Sequence, residues 1–308
     1  MDVVLAAAVV VTGLVFGSFL NVCIHRLPRG LSVVRPGSAC PHCGTSVRWY
    51  DNVPVLSWLW LRGRCRHCKR AISARYLAVE LLTALLFLAC YAAFGLSWST
   101  LKFSVFSFLL LGLIFTDAEH KLLPDRLTLP GLGLGLLFSL LVPVEDLAAR
   151  LLASRVELPV ASELGWRVLS LTDSLLGAAV GASFIYGAGA LYRKARGVEG
   201  MGFGDVKLMA MVGAFLGTKL TVFTVFAASL LGSLFGIATV LVVWLKRTRR
   251  YMRRRRGPAQ AARKRAWKSA KIVYRHYEMP FGVFLGSMAI VAAFLGNQVL
   301  GWYWRFYR

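Results

Sequence analysis

Long apolar runs alternate with polar, basic stretches along the whole chain. The first run covers 3–22, and others follow near 77–94, 101–118, 127–143, 172–192, 205–217, 220–245 and 281–302. A helix crossing a bilayer needs about 20 mainly apolar residues, and most runs approach that length. The pattern predicts an all-α polytopic membrane protein with about eight transmembrane helices. The sixth run is short and rich in glycine. The expected division is a first transmembrane helix over 1–24, a polar loop domain over 25–76, and a helical bundle over 77–308. The first run opens at Met1-Asp2 without a basic flank, so it reads as a retained helix rather than a cleaved signal.

Composition agrees with a membrane class. The chain is 57% hydrophobic with a mean hydropathy of +0.61, against about 45–50% apolar residues in soluble domains. Its net charge of +23 comes from 37 Lys and Arg against 14 acids. In a soluble protein that excess would suggest nucleic acid. Here the cations collect between apolar runs, so anionic lipid is the expected contact and nucleic acid is not.

Loop charge also predicts orientation. Segment 25–76 holds ten Lys/Arg and one acid, Asp51, and segment 246–275 holds fourteen Lys/Arg and no acid. Arg193, Lys194 and Arg196 follow the fifth run. Segment 144–171 differs, with three Arg against Glu145, Asp146, Glu157 and Glu163. Eight crossings put the three basic segments on one side and 144–171 on the other. The positive-inside rule makes the basic side cytoplasmic and leaves both termini outside the cytoplasm. The arm 246–275 reads as a topology anchor touching acidic headgroups, or as a surface for docking a partner.

The loop domain carries four of the six cysteines as Cys40-Pro-His-Cys43 and Cys65-Arg-His-Cys68. Each pair places two thiolates on one tight turn, and two such turns facing each other form a tetrahedral sulfur site suited to zinc. The 21 intervening residues are a long connection, but extra length adds little closure entropy. Four sulfurs leave no open metal position, so this zinc is expected to be structural. The competing reading is a redox-active or metal-free loop. His42 and His67 read as spacers, and Cys23 and Cys90 as small buried hydrophobes.

Two acids stand at the ends of apolar runs. Asp117 closes the third, and Asp205 opens the sixth after Gly202-Phe-Gly204. The charge topology places both at the cytoplasmic edge of the membrane. An ionisable group at that depth is a candidate for function. Two carboxyls brought together cannot both ionise easily, so they share a proton, which is the requirement of an aspartic peptidase. One takes a proton from water while the other gives one to the scissile carbonyl. The plainer reading makes each Asp a helix cap. Asp125, after Pro124, competes with Asp117, although a capping Asp at a helix start is ordinary. Glu80, beginning the second run, is explained by an interfacial ion pair with the preceding Arg75, or by a polar role near the site.

The ordered motifs resemble the bacterial prepilin peptidases, or type IV leader peptidases, which are GxGD intramembrane aspartic proteases. The resemblance rests on Gly17-Ser-Phe-Leu-Asn21 through Pro28, Tyr50-Asp51-Asn52-Val-Pro54 between the CxxC pairs, and Ile72-Ser-Ala-Arg75 through Glu80. It continues through Phe115-Thr-Asp117 to Pro124-Asp125, Gly200-Met-Gly202-Phe-Gly204-Asp205, and Glu278-Met-Pro280-Phe281-Gly282. The resemblance implies Asp117 and Asp205 as the catalytic pair, with Gly202, Gly204, Asp125 and Lys207 supporting the motifs. It implies Cys40, Cys43, Cys65 and Cys68 as zinc ligands of a cytoplasmic domain. The implied substrates are prepilins or pseudopilins, cut after a Gly and before an apolar helix. The implied second activity is N-methylation of the new terminus with S-adenosylmethionine, whose site no glycine loop marks. The implied location is the bacterial inner membrane. Segments 144–171 and 246–275 are longer than the pattern of a compact member. A transporter with acids on an ion path, or a membrane scaffold of a secretion apparatus, are the rival readings.

Overall fold

A computed structural model describes residues 2–143, 163–197, 201–253, 260, 263–269 and 279–306. Most of segment 144–171, and residues 254–259, 261–262 and 270–275 of the basic arm, lie outside the described residues, with the expectations placed on them. Gly200 and Glu278 of the quoted motifs do as well. The described helices are α1 Val3–Arg26, α2 Leu56–Trp60, α3 Arg75–Phe94, α4 Trp98–His120, α5 Asp125–Ser139, α6 Glu163–Arg196, α7 Phe203–Arg253 and α8 Phe281–Arg305. Among the described residues the only β-structure is two isolated bridges.

Among the described residues, six helices are long and apolar enough to cross a membrane: α1, α3, α4, α6, α7 and α8. All eight apolar runs are helical. The fourth forms α5, whose 15 residues span about 22 Å, less than a hydrocarbon core. The sixth and seventh are the two limbs of α7, which breaks at Gly217 (φ 74°, ψ 179°). The limbs run in opposite directions. A Cβ placed on Gly181 of α6 would meet both Met209 from the first limb and Thr221 from the second. Leu220 meets Gly296 late in α8, and Gly232 lies beside Phe281 and Phe284 at its start. The reversal therefore turns one long element into two crossings.

Helix contacts are set by glycines four residues apart, which form flat stripes and let backbones approach closely. Gly13 and Gly17 of α1 lie on Ala84 and Glu80 of α3, and a Cβ on Gly17 would come within 2.7 Å of the Glu80 Cα. Gly131 and Gly135 of α5 lie on Met211 and Ala214 of α7. Gly177 and Gly181 of α6 cross Gly213 and the Met209 carbonyl, and Gly282 and Gly286 of α8 lie on Asp117 and Ile114 of α4.

The middle helix is α4. One side packs Phe106, Leu109, Leu110 and Leu113 into the main core with α5, α6, α7 and α8. The other side gives Leu111 to a smaller cluster with Leu20, Cys23 and Ile24 of α1 and Val79 of α3. Exposed Phe16, Phe19, Phe226 and Leu230 are the outward faces expected of helices in lipid. Exposed Trp98, Trp302 and Trp304 lie at the ends of α4 and α8 away from Asp117. That is the interfacial placement such side chains favour.

The cysteine loop joins α1 to α3 and contains the same turn twice. Cys40 donates its N–H to Thr45 O and Cys65 donates to Arg70 O, both at 2.9 Å. Four residues after each first cysteine, Gly44 (φ 69°) and Lys69 (φ 57°) take the left-handed conformation that closes the turn. Hydrogen bonds from Arg66 (2.6 and 2.8 Å) hold the Asp51 carboxyl below its usual range and tie the second turn to the segment between the two.

Candidate active site

Asp117 lies on the last turn of α4, which stops because Lys121 turns left-handed (φ 53°) and donates its N–H to Asp117 O at 2.9 Å. Its side chain faces the start of α8. Pro280 caps that helix with no side-chain acceptor, and the first amides of a helix have no carbonyl partner within it, so they are free to donate outward. Val283 N–H donates to Asp117 Oδ2 at 3.0 Å, with the Gly282 N–H beside it. A Cβ at Gly282 would sit 2.8 Å from that oxygen, so only glycine lets the turn approach.

Asp205 lies in the first turn of α7, after the Gly202-Phe203-Gly204 bend, and its N–H donates to Gly202 O at 3.1 Å. Gly204 is flush against Leu123, and Leu123 also reaches Gly282. One leucine side chain thus lies between the turn that carries Asp205 and the turn that faces Asp117. The two aspartates are 6% and 8% exposed. They occupy the same end of the bundle as the cysteine loop.

Asp125 lies apart from this pair. It begins α5, with Pro124 as the cap, so it is the first helical residue rather than the capping one. Both its oxygens accept from Lys207 Nζ at 2.7 Å, and Lys207 also lies over the Phe203 ring at 5.2 Å. The pair clamps the start of α5 to the turn bearing Asp205. The expected ion pair of Glu80 with Arg75 is not formed. Arg75 pairs with Glu119 and covers the Tyr76 ring at 4.8 Å. Glu80 instead accepts the Val55 N–H at 2.7 Å. Val55 is held at φ 62°, a conformation unusual for a branched residue. Sequence spacing pointed to Arg75, whereas the fold of the loop brought a backbone amide.

The Sγ atoms of Cys40, Cys43, Cys65 and Cys68 lie within 4.8 Å of one another. This cluster can hold a metal ion. Zn–S bonds of about 2.3 Å in a tetrahedron put sulfurs about 3.8 Å apart, and Cys40 and Cys68 are separated by 3.8 Å. His42 and His67 are not among the clustered donors. Cys23 and Cys90 are buried elsewhere.

The amides of Gly282 and Val283, the Leu123 contact and the Arg75–Glu119 pair were absent from reasoning on sequence alone. Pro280 before an apolar run was the available sign of a helix start, but its partner was not readable. The i, i+4 glycines were readable in every helix that carries them.

A polytopic helical bundle with two buried carboxyls at one end, beside a four-thiol loop, defines a membrane protein built around an acidic site. Residues 11–94 match the bacterial peptidase A24 N-terminal domain, and residues 103–237 match the type IV leader peptidase family. A prepilin leader peptidase/N-methyltransferase of Aeromonas hydrophila is 33% identical, over 94% of this chain and 90% of its own length. Proteins of the same description from Pseudomonas aeruginosa and Myxococcus xanthus are 37% and 40% identical. They align over 74% and 75% of this chain, and over 78% and 62% of their own lengths. The chain belongs to the type IV leader peptidase family. No solved structure matches it.

Proposed function

We propose that this chain is a membrane-embedded aspartic endopeptidase that removes the leader of prepilins and pseudopilins, with Asp117 and Asp205 as its catalytic pair, and that it also methylates the new N-terminus. The relatives' shared description supports both activities. The observation that carries the peptidase reading is a pair of buried aspartates at one end of the bundle, Asp117 under the amides that start α8 and Asp205 on the turn that Leu123 joins to that start. One carboxyl draws a proton from the attacking water and the other protonates the scissile carbonyl. The Gly282 and Val283 amides orient Asp117. The Asp125–Lys207 clamp positions the turn that carries Asp205. A peptide bond at this depth lies where a basic leader meets an apolar helix, so the substrate's own amphipathy delivers it.

Cys40, Cys43, Cys65 and Cys68 hold a structural zinc ion that fixes the two turns of domain 25–76 between the first helix and the bundle. S-adenosylmethionine, when bound, supplies an electrophilic methyl group for the amine that cleavage exposes. The orientation that fits the loop charges has the cysteine loop and both aspartates facing the cytoplasm of the inner membrane. The basic end of α6 and the far end of α7 share that side. Lys246, Arg247, Arg249 and Arg250 there suit contact with anionic lipid.

Asp117→Asn and Asp205→Asn should each abolish leader removal from a co-reconstituted prepilin while the variant still accumulates in membranes. Normal processing by both would end the assignment.

A further inference from the structure

The short helix α2 has two unlike faces. On one, the Trp58 ring lies against Gly63, where a Cβ would come within 2.7 Å of it. Ser57 also turns toward the loop, accepting the Val53 N–H and donating to Tyr50 O. The other face is Leu56, Leu59 and Trp60, which are 66%, 55% and 83% exposed. Their i, i+3, i+4 spacing makes them neighbours on the helix. A contiguous apolar patch of this kind marks a surface that a protein or a membrane covers.

What covers it follows from where α2 sits. The apolar run of α1 ends at Val22 and that of α3 begins at residue 77, so the edge of the hydrocarbon lies at that level. The loop reaches down to it. Val55 donates its N–H to Glu80, which is five residues inside α3 and so about 7.5 Å below its first residue. Asn52 and Pro54 wall a groove of about 370 Å³ together with Val15, Phe19 and Val22 of α1. Val15 and Phe19 belong to the outward, lipid-facing side of that helix, at 55% and 45% exposed. The residues leading into α2 are therefore held against two spans where acyl chains give way to headgroups. Arg62 and Arg64, both exposed, follow the apolar face. Apolar side chains, then a tryptophan, then cations is the order in which an interfacial helix meets acyl chains, the headgroup boundary and the phosphates.

We propose that α2 is an interfacial anchor: Leu56, Leu59 and Trp60 insert into the phospholipid leaflet at the aspartate end of the bundle, and Arg62 and Arg64 meet its phosphates. The patch continues the lipid-facing side of α1, and the charge beside it complements the headgroups. The cysteine loop is then seated in the leaflet rather than held above it in water. The seat fixes the height of the loop against the ends of α3 and α4, which Arg75 and Glu119 join, and so against the turn that carries Asp117.

The test is photolabelling of the full chain in phospholipid nanodiscs that contain a phosphatidylcholine with a diazirine in its acyl chain. Irradiation followed by peptide mass mapping should place adducts on residues 56–60 as well as on the outward faces of α1 and α3. Adducts on α1 and α3 with none on 56–60 overturn the proposal, and leave the patch to a protein partner or a second copy of the chain. A second measurement uses Trp60→Phe, a change at an exposed position that keeps a ring. The tryptophan emission that this variant loses relative to the parent is the emission of Trp60. In bilayers of brominated phospholipid that difference should fall by about twofold or more, because an interfacial indole lies beside the bromines. A difference of the same size in brominated and ordinary bilayers overturns the anchor on its own. Neither readout depends on activity, so the outcome stands apart from the peptidase and methyltransferase readings.

Discussion

At the scale of single residues, Gly282 is the most exposed to test. Its missing side chain is what lets the amide of Val283 reach Asp117. Gly282→Ala puts a methyl group 2.8 Å from the Asp117 Oδ2, and a shift of that order in a catalytic group lowers rates by about a hundredfold. Leader cleavage by this variant should fall accordingly, and a parental rate would remove the contact from the mechanism. Asp125 makes the contrasting case. Its pair with Lys207 is half-exposed (side chains 55% and 25% accessible) and worth no more than about 1 kcal/mol once solvent screens it. Asp125→Asn should therefore retain cleavage within about tenfold of the parent, since the loss acts only through the placement of Asp205. Abolition of cleavage by Asp125→Asn, with Asp117→Asn active, would reverse the assignment of the two acids. Position along the chain left both candidates standing, and the family resemblance chose Asp117. The difference is a matter of partners: Lys207 occupies one, and the start of α8 faces the other.

At the scale of elements, the bundle depends on backbone contacts that tolerate no side chain. Gly213 presses on the Gly177 carbonyl, so a larger residue must separate α6 from the first limb of α7. Gly213→Leu should prevent accumulation of folded protein, read by detergent extraction and monodispersity. Gly133 has no neighbour within 4 Å of a built Cβ. Gly133→Ala should leave yield and thermal stability the same or slightly raised, because alanine is the better helix former by about 0.5–1 kcal/mol. These two outcomes together distinguish close packing from a general intolerance of substitution. The reversal at Gly217 shows the same dependence on context. The composition of 205–217 marked a short, weak run, and the φ of 74° is where one apolar stretch becomes two crossings.

For the whole molecule, the arrangement of basic segments fixes a test of topology. Single cysteines introduced into 25–38 should be shielded from an impermeant thiol reagent in intact cells, while those introduced into 144–162 should be labelled. The opposite pattern would invert the orientation. Metal content gives an independent test at the same scale. The protein should carry one zinc ion, and Cys40→Ser with Cys65→Ser should release it. Because the sulfur cluster lies in the loop between α1 and α3 and not on the helices that carry Asp117 and Asp205, methylation should suffer more than leader cleavage. Unchanged metal content in that double variant would eliminate the four-sulfur site.

Several features were determined by the sequence on its own, because they depend on local pattern. Apolar run length set the helices, loop charge set a self-consistent alternation, and paired CxxC spacing set the thiol cluster. The i, i+4 glycines in α1, α5, α6 and α8 marked contact faces, though not their partners. Tertiary structure decided what depends on groups distant in the chain. It brought Asp117 and Asp205 together across more than eighty residues of sequence, gave Arg75 to Glu119 rather than Glu80, and aimed the amides of α8 at a carboxyl in α4. Periodicity and spacing describe one segment at a time, whereas a site of this kind is defined by which segments touch.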